Sequence, residues 1–200
     1  MNYLAHIFLS GNDLDIQMGN FMGDEIKGRQ YKKFSVQVQK GIILHRYIDS
    51  FTDRHILVKR SKDRLSKNFG HYGGVLIDIF YDHFLSNNWQ IYSTKSLQDF
   101  VTDFYKTLED KKLILPAETK RIGQQLVTHN WLLKYRATED LEQVLYGMEK
   151  RIKHEIPLHL SLLDLDRNYQ ELENDFLEFF PLLQRYSTEI LQTLDQQYEI

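Results

Sequence analysis

The sequence predicts an all-α protein, built as a single-domain helical bundle over residues 1–200. Apolar residues recur with a period near 3.6, and no run shows sustained alternation with a period of two. No Asn-Gly or Asp-Gly hairpin turn occurs. Two hundred residues without a low-complexity segment or a long linker suit one domain.

Capping and breaking residues predict where the helices begin and end. Gly28 stops the second helix, Ser35 caps the third, and Pro116 starts the seventh. The fifth helix is apolar on nearly every side, so we expect it at the centre of the bundle. The predicted helices are 2–9, 13–27, 35–53, 54–68, 75–92, 96–113, one from 116 that carries Trp131, 138–153, and 158–198 with a break near Pro181.

The composition excludes several classes of site. The chain has no cysteine, so disulfides, thiolate zinc sites and cysteine nucleophiles are excluded. It has no phosphate-binding P-loop, no Gly-x-Gly-x-x-Gly and no Gly-x-Ser-x-Gly motif. No segment reaches the roughly 20 apolar residues of a membrane span, and the start lacks the basic leader of a signal peptide. We expect a soluble, cytoplasmic protein that does not bind nucleic acid.

Two stretches about thirty residues apart carry histidine and aspartate at helical spacing among large apolar residues. His45 and Asp49 stand one helical turn apart on a shared face, as do Asp78 and Asp82. Two carboxylates one turn apart repel each other unless a cation or a proton lies between them. Their apolar neighbours make the cost of desolvation large.

A divalent cation would compensate these carboxylates, because it accepts both imidazole and carboxylate ligands. His83, next to Asp82, adds a nitrogen donor, and Asp24 is the best candidate for a further ligand. The alternative is a buried hydrogen-bond network without a metal. His6 lies on an apolar helix, where its residue type alone favours a core histidine with satisfied hydrogen bonds.

Basic residues cluster beside the first of the two stretches. The segment 54–67 contains six basic residues against one acid. These charges form either a solvated helix face or a positive docking surface for an acidic partner. Arg46 and Arg54 are candidates for binding phosphate, with pairing to nearby aspartates as the alternative, and Arg136 is a candidate for binding phosphate or a carboxylate.

The residues match a known family in order along the chain. The matching segments are Asn2-Tyr3-Leu4-Ala5-His6, Gly19-Asn20 with Gly23-Asp24, His45-Arg46-Tyr47-Ile48-Asp49 with Thr52-Asp53, Asp78 with Asp82-His83-Phe84-Leu85, Trp131-Leu132 with Tyr135-Arg136, and Gly147-Met148. In these segments the sequence resembles the acyl carrier protein phosphodiesterases, also called ACP hydrolases. That family is similar to the helical HD-type phosphohydrolases, although the adjacent pair here stands in the reversed order Asp82-His83.

The resemblance implies removal of 4′-phosphopantetheine from holo-acyl carrier protein, a step connected with fatty acid and lipid metabolism. It implies Mn²⁺ as the favoured metal, with Mg²⁺ or another divalent cation as the alternative. Acyl carrier proteins are strongly acidic, so the segment 54–67 would serve as their docking face.

The resemblance and the chemistry together suggest roles for ten residues. The predicted metal ligands are Asp24, His45, Asp82 and His83; the predicted catalytic residues are Asp49, Asp78 and Arg46; the predicted substrate-binding residues are Arg54, Arg60 and Arg136. Two other functions remain open: a phosphohydrolase acting on a nucleotide or another small phosphoester, and a helical binding module without enzymatic activity.

Overall fold

The computed structural model describes residues 1–112, 115–150 and 156–198, and helices are the only regular elements within these ranges. The all-α prediction is confirmed. None of the described helices combines the length and apolarity needed to cross a membrane. The α-helices are Tyr3–Leu9 (α1), Leu14–Phe21 (α2), Val36–Arg54 (α3), Ile56–Lys62 (α4), Gly73–Asn87 (α5), Trp89–Tyr92 (α6), Leu97–Asp110 (α7), Ala117–His129 (α8), Trp131–Lys134 (α9), Thr138–Glu149 (α10), Ser161–Arg167 (α11) and Tyr169–Tyr198 (α12), and the 3₁₀ turns are Gly23–Glu25, Gln30–Lys33, Lys67–Tyr72 and Leu158–Leu160.

Helices α2 and α3 cross in direct backbone contact. A Cβ atom added to Gly19 would lie 2.1 Å from the carbonyl oxygen of Val38, and one added to Gly41 would lie 2.1 Å from that of Ile16. Only glycine fits at either position, because any side chain would push the two helices apart. This close crossing holds α2 against the N-terminal part of α3, one to two turns before His45.

The centre of the molecule is α5, as the sequence predicts. Phe80, Tyr81 and Phe84 are completely buried, and the rings of Tyr81 and Phe84 pack against aromatic side chains of α12, including Phe176. Burial of each such ring stabilises the fold by roughly 1.5–3 kcal/mol. The aromatic layer between α5 and α12 forms part of the main hydrophobic core.

Several predicted boundaries are wrong, and local backbone geometry explains two of them. The predicted helix 54–68 ends at Lys62 in the structure, and a 3₁₀ turn with a left-handed residue, Gly70, follows. Trp131 does not belong to α8, because Asn130 adopts a left-handed conformation with φ of 51° and separates α8 from α9. The predicted helix 75–92 is divided at Asn88 into α5 and α6.

The other differences concern two predicted helix ends, one proline, and the predicted helix 158–198, which is divided at Asn168 into α11 and α12. The predicted helix 13–27 ends at Phe21, so Asp24 lies in a 3₁₀ turn rather than on a helix. No break occurs near Pro181, because α12 continues through it. The predicted helix 138–153 ends at Glu149, and its last three residues lie outside the described ranges.

Candidate metal centre

Three side chains from α1 and α3 form a compact cluster of nitrogen and oxygen donors. Nε2 of His6 lies 3.2 Å from Oδ1 of Asp49, and Nε2 of His45 lies 3.1 Å from its Oδ2. One ligand atom from each of the three residues lies within 4.8 Å of the others. The two imidazole rings stack with 4.2 Å between their centroids. Both Nε2 atoms therefore face the same carboxylate.

Asp24 brings a second carboxylate to this cluster from the turn that follows α2. Its Oδ1 lies 3.3 Å from Nε2 of His45, and its side chain is 79% exposed. The neighbouring Gly23 lies flat against the His45 ring, since an added Cβ would lie 2.3 Å from the ring's Cγ atom. The turn can thus approach α3 closely enough for Asp24 to reach the cluster only because residue 23 has no side chain.

Asn20 determines how both imidazoles present their nitrogens. Its backbone oxygen lies 2.9 Å from Nδ1 of His45, and its Oδ1 lies 2.8 Å from Nδ1 of His6. Its amide nitrogen donates to the backbone oxygen of His6 and to Oγ of Ser10, which identifies Oδ1 as the acceptor. Each Nδ1 therefore carries the hydrogen, and when the ring is neutral each Nε2 keeps a free lone pair toward the carboxylates.

The electrostatics of the cluster favour a positive charge between its carboxylates. Burial lowers the pKa of His45, but hydrogen bonds with Asp24 and Asp49 outweigh this effect and raise it to about 9. The hydrogen bond from His45 lowers the pKa of Asp24. Burial raises the pKa of Asp49, but its contacts with His45, which donates the hydrogen bond, and with His6 outweigh this effect and lower the pKa overall. Burial and the neighbouring His45 lower the pKa of His6, which keeps this ring neutral.

This donor set fits a divalent cation. Two imidazole nitrogens and two carboxylates are ligands that divalent metal ions accept, and His45 would give up a proton when the cation binds. Hydrogen bonds from Nδ1 to a backbone or amide oxygen are the usual support for histidines that bind a metal through Nε2. Asp24, His6 and His45 also line a cavity of about 220 Å³, so a ligand in this cavity could reach the donors.

The sequence as a whole matches one known family. A family model described as acyl carrier protein phosphodiesterase matches residues 1–183. The chain belongs to this family. A protein of the same name from Photorhabdus laumondii is 30% identical over 184 residues, covering 92% of this chain and 93% of the relative. One from Escherichia coli O9:H4 is 32% identical over 185 residues, covering 90% and 94%. No solved structure matches the chain significantly, so the similarity to HD-type phosphohydrolases stays a prediction.

Among the predicted site residues of this family member, the structure brings Asp24, His45 and Asp49 together. It gives Asp82 other partners: its two carboxylate oxygens accept hydrogen bonds from the backbone nitrogens of Leu4 and Ala5, at 2.8 and 3.1 Å. Asp82 is completely buried, and this burial raises its pKa to about 7 despite the two hydrogen bonds. These hydrogen bonds stabilise the first turn of α1, the helix that carries His6.

His83 and Asp78 also lie outside the donor cluster. The ring nitrogens of His83 lie 2.7 Å from the backbone oxygen of Tyr135 and 3.0 Å from the hydroxyl of Tyr169, so both already have partners. Oδ1 of Asp78 lies 2.9 Å from the amino group of Met1. Asp78 does line the same cavity as His6 and His45, which keeps its carboxylate within reach of a molecule bound there.

The four predicted arginines lie in different environments. Arg46 donates to the backbone oxygen of Ile26 at 2.7 Å, with its guanidinium over the ring of Tyr31. Arg54 and Arg136 are exposed. Arg60 pairs with the buried Asp175 of α12. Arg46 therefore fastens the segment after Asp24 to α3, and Arg60 belongs to a contact between α4 and α12.

Sequence reasoning missed His6 and Asn20. Residue type alone favours a core histidine for His6, and it is indeed buried. A signal was available, because both residues fall within the segments that resemble the family. Their proximity depends on how α1 packs against α2, which no local spacing reveals.

Proposed function

We propose that this protein hydrolyses the phosphodiester that joins 4′-phosphopantetheine to acyl carrier protein, with a divalent cation held by His6, His45, Asp49 and Asp24. The observation that carries the proposal is the convergence of two imidazole nitrogens and two carboxylates beside a cavity. The family supplies the substrate class, because its members are named for a phosphodiesterase activity on acyl carrier protein. Within this ligand set, Asp49 acts as a ligand rather than as an acid–base group, and Asp82 and His83 are structural.

The reaction forms a bond from a water oxygen to phosphorus and breaks the bond from phosphorus to the serine oxygen of the carrier, which takes up a proton. A bound Mn²⁺ would lower the pKa of that water and polarise the phosphoryl oxygen. Asp78, with 27% of its side chain exposed on the cavity wall, is the carboxylate left to exchange a proton with the substrate. Asn20 acts as a positioning residue, since it fixes the tautomer of both histidines.

The direct test is to incubate the protein with holo-acyl carrier protein and Mn²⁺ and to weigh the carrier by mass spectrometry. We expect the carrier to lose the mass of the phosphopantetheine arm, and we expect chelation of the metal to stop the loss. An intact carrier together with turnover of nucleotides under the same conditions would instead indicate a small-phosphoester hydrolase. An intact carrier without metal uptake would indicate a binding module.

Replacing Gly23 with alanine should weaken cation binding. The new Cβ would lie 2.3–2.8 Å from three atoms of His45, so the ring or the turn must move. We expect the affinity for Mn²⁺, measured by isothermal titration calorimetry, to fall by about 10–100-fold, the range found when support of a ligand is disturbed. Gly28→Ala is the matched control, because it strains a left-handed residue nearby but meets no atom within 4 Å. Equal Mn²⁺ affinities in the two variants would contradict this prediction.

Replacing Asp82 with asparagine should lower stability without removing the metal. The amide keeps only one acceptor oxygen, which leaves a backbone N–H of the first turn of α1 unsatisfied. We expect the free energy of unfolding to fall by about 1–3 kcal/mol, as measured by urea denaturation. Metal content after dialysis against Mn²⁺ should equal that of the wild type. If the variant is fully folded but has lost the metal, the prediction is wrong and Asp82 is a metal ligand.

A further inference from the structure

The cavity beside the metal centre has one polar side and one apolar side. Its polar side consists of Asp24, His6 and His45 of the candidate metal centre together with Asn2, Asn20 and Asp78. Side chains of α5, of α9 and the residue after it, and of α10 form most of the apolar side, and these are Val75, Trp131, Tyr135, Val144 and Met148. The ligand that fits such a cavity carries a phosphate at one end and a slender, largely uncharged chain at the other.

We propose that this cavity binds the pantetheine arm of the substrate, with the arm's phosphate at the cluster and its chain along Val75, Trp131 and Met148. The inference rests on the proposed function and specifies how the substrate lies. About 220 Å³ accommodates a narrow chain but not a folded carrier protein, so the serine side of the phosphodiester stays outside. The amides of the arm find polar partners in Asn2 and the Tyr135 hydroxyl, which lie 2.9 Å from each other on the cavity wall.

The test measures binding of the free product rather than turnover. Isothermal titration calorimetry in the presence of Mn²⁺ compares 4′-phosphopantetheine with inorganic phosphate. We expect 4′-phosphopantetheine to bind at least about tenfold more tightly, because a filled apolar pocket contributes that much discrimination. Equal affinities would overturn the proposal, since the cavity would then contribute nothing beyond the phosphate.

A matched pair of variants locates the binding site. Val75→Phe narrows the cavity, whereas Val36→Phe changes a first-turn valine of similar exposure (43% against 39%) that does not line it. We expect Val75→Phe to lose at least about tenfold in affinity for 4′-phosphopantetheine and to bind inorganic phosphate as the wild type does. Val36→Phe should bind both ligands normally. Met148→Phe, which narrows the cavity from α10, serves as a second variant should Val75→Phe fail to fold.

Intrinsic fluorescence gives an independent readout, because the chain has two tryptophans and only Trp131 lines the cavity. Trp89 is buried and donates to the backbone oxygen of Lys95. Addition of 4′-phosphopantetheine should change the emission of the wild type but not that of Trp131→Phe. Unchanged binding in Val75→Phe alongside normal loss of the arm from the carrier would overturn the cavity assignment and leave the proposed function standing.

A separate observation points to where the carrier protein itself docks. The exposed segment 27–33 carries Lys27, Arg29, Lys32 and Lys33, and no acidic residue occurs from 26 to 48. Within the described ranges, none of these four cations pairs with a carboxylate. In the segment 54–67, by contrast, Arg60 and Arg64 both pair with Asp175, and Arg60 also pairs with Glu178.

We infer that the segment 27–33 is the docking surface for the acidic carrier protein. It lies next to the candidate metal centre, because Lys27 donates to the backbone oxygen of Asp24 and Arg46 holds Ile26 against α3. An acidic partner seated there would bring its phosphoserine close to Asp24. Complementary charge of this kind mainly raises the rate of association and fixes the orientation in which the partner binds.

The test reverses two charges at a time. In the Lys32→Glu/Lys33→Glu variant we expect KM for holo-carrier to rise by about tenfold or more, with kcat unchanged and a weaker dependence on salt. Lys59→Glu/Lys67→Glu is the control from the segment that the sequence favours. A rise in KM confined to the control variant would overturn this inference and restore 54–67 as the docking face. Binding of 4′-phosphopantetheine should be unaffected in both variants.

Discussion

Replacing Asp49 with asparagine should lower kcat/KM for holo-carrier by more than about 100-fold, because loss of a ligand exceeds the 10–100-fold that disturbing a ligand's support costs. Among the residues that the structure describes, Asp49 is the one carboxylate that contacts Nε2 of both His6 and His45. The amide has no charge and presents one oxygen instead of two, so the positive charge at the centre loses its main compensation. Steady-state kinetics measures the first effect, and titration with Mn²⁺ measures the accompanying loss of affinity.

Asp53→Asn provides the control from the same helix, one turn further on. Asp53 is exposed, and its ion pair is a 3.6 Å contact with Lys62. We expect less than a twofold change in kcat/KM, in line with the small contribution of surface ion pairs (about 0–1 kcal/mol). By circular dichroism, Asp53→Asn should show the melting profile of the wild type, and Asp49→Asn should keep the helical spectrum of a folded protein. A folded Asp49→Asn protein that binds Mn²⁺ with wild-type affinity would remove the metal centre from the mechanism.

The sequence alone was enough to predict the part of the candidate metal centre whose residues lie close together along the chain. His45 and Asp49 are four residues apart on one helix, and that spacing alone brings their side chains together on one face. The length of α3 was also predictable, since Ser35 and the apolar period define it to within one residue. Asp24 was identified as a ligand candidate although its helix was extended too far.

The contribution of other elements was not predictable from spacing. Asp78 and Asp82 do share a face of α5, and in the structure the partners of these carboxylates are the backbone N–H groups of Leu4 and Ala5 and the N-terminal ammonium group of Met1. Which element lies opposite a helix face depends on tertiary packing, and the sequence pattern of α5 carries no information about it. The same holds for His6, which reaches the cluster because α1 packs beside α2.

The charge of the segment 54–67 illustrates a second limit. Counting charges along the chain treats every arginine as available to a partner. Arg60 and Arg64 instead face Asp175, which lies more than 100 residues away in the sequence. A charge count therefore identifies a docking surface only after internal ion pairs have been subtracted, and that subtraction moves the inferred surface to 27–33.

Replacing both Arg60 and Arg64 with alanine should therefore destabilise the protein rather than impair docking. Asp175 is only 1% exposed, and its remaining partner would be the hydroxyl of Ser61 at 2.9 Å. Leaving a buried carboxylate without a cationic partner costs about 3–5 kcal/mol, which urea denaturation would detect. We expect KM for holo-carrier to stay within about twofold of the wild-type value at a temperature where the variant is folded. Charges that do not contact the carrier should leave its rate of association unchanged.

The matched control removes two cations from the same segment. Lys59 and Lys67 are exposed and form no ion pair with the described residues, so Lys59→Ala/Lys67→Ala should change the free energy of unfolding by less than about 0.5 kcal/mol per site. Adding Asp175→Leu to the double arginine variant should recover most of the lost stability, because it removes the uncompensated charge that causes the loss. Equal destabilisation by the two double variants, or no recovery of stability with Asp175→Leu, would show that Asp175 does not depend on the arginines. Arg60 and Arg64 would then again be candidates for binding the carrier.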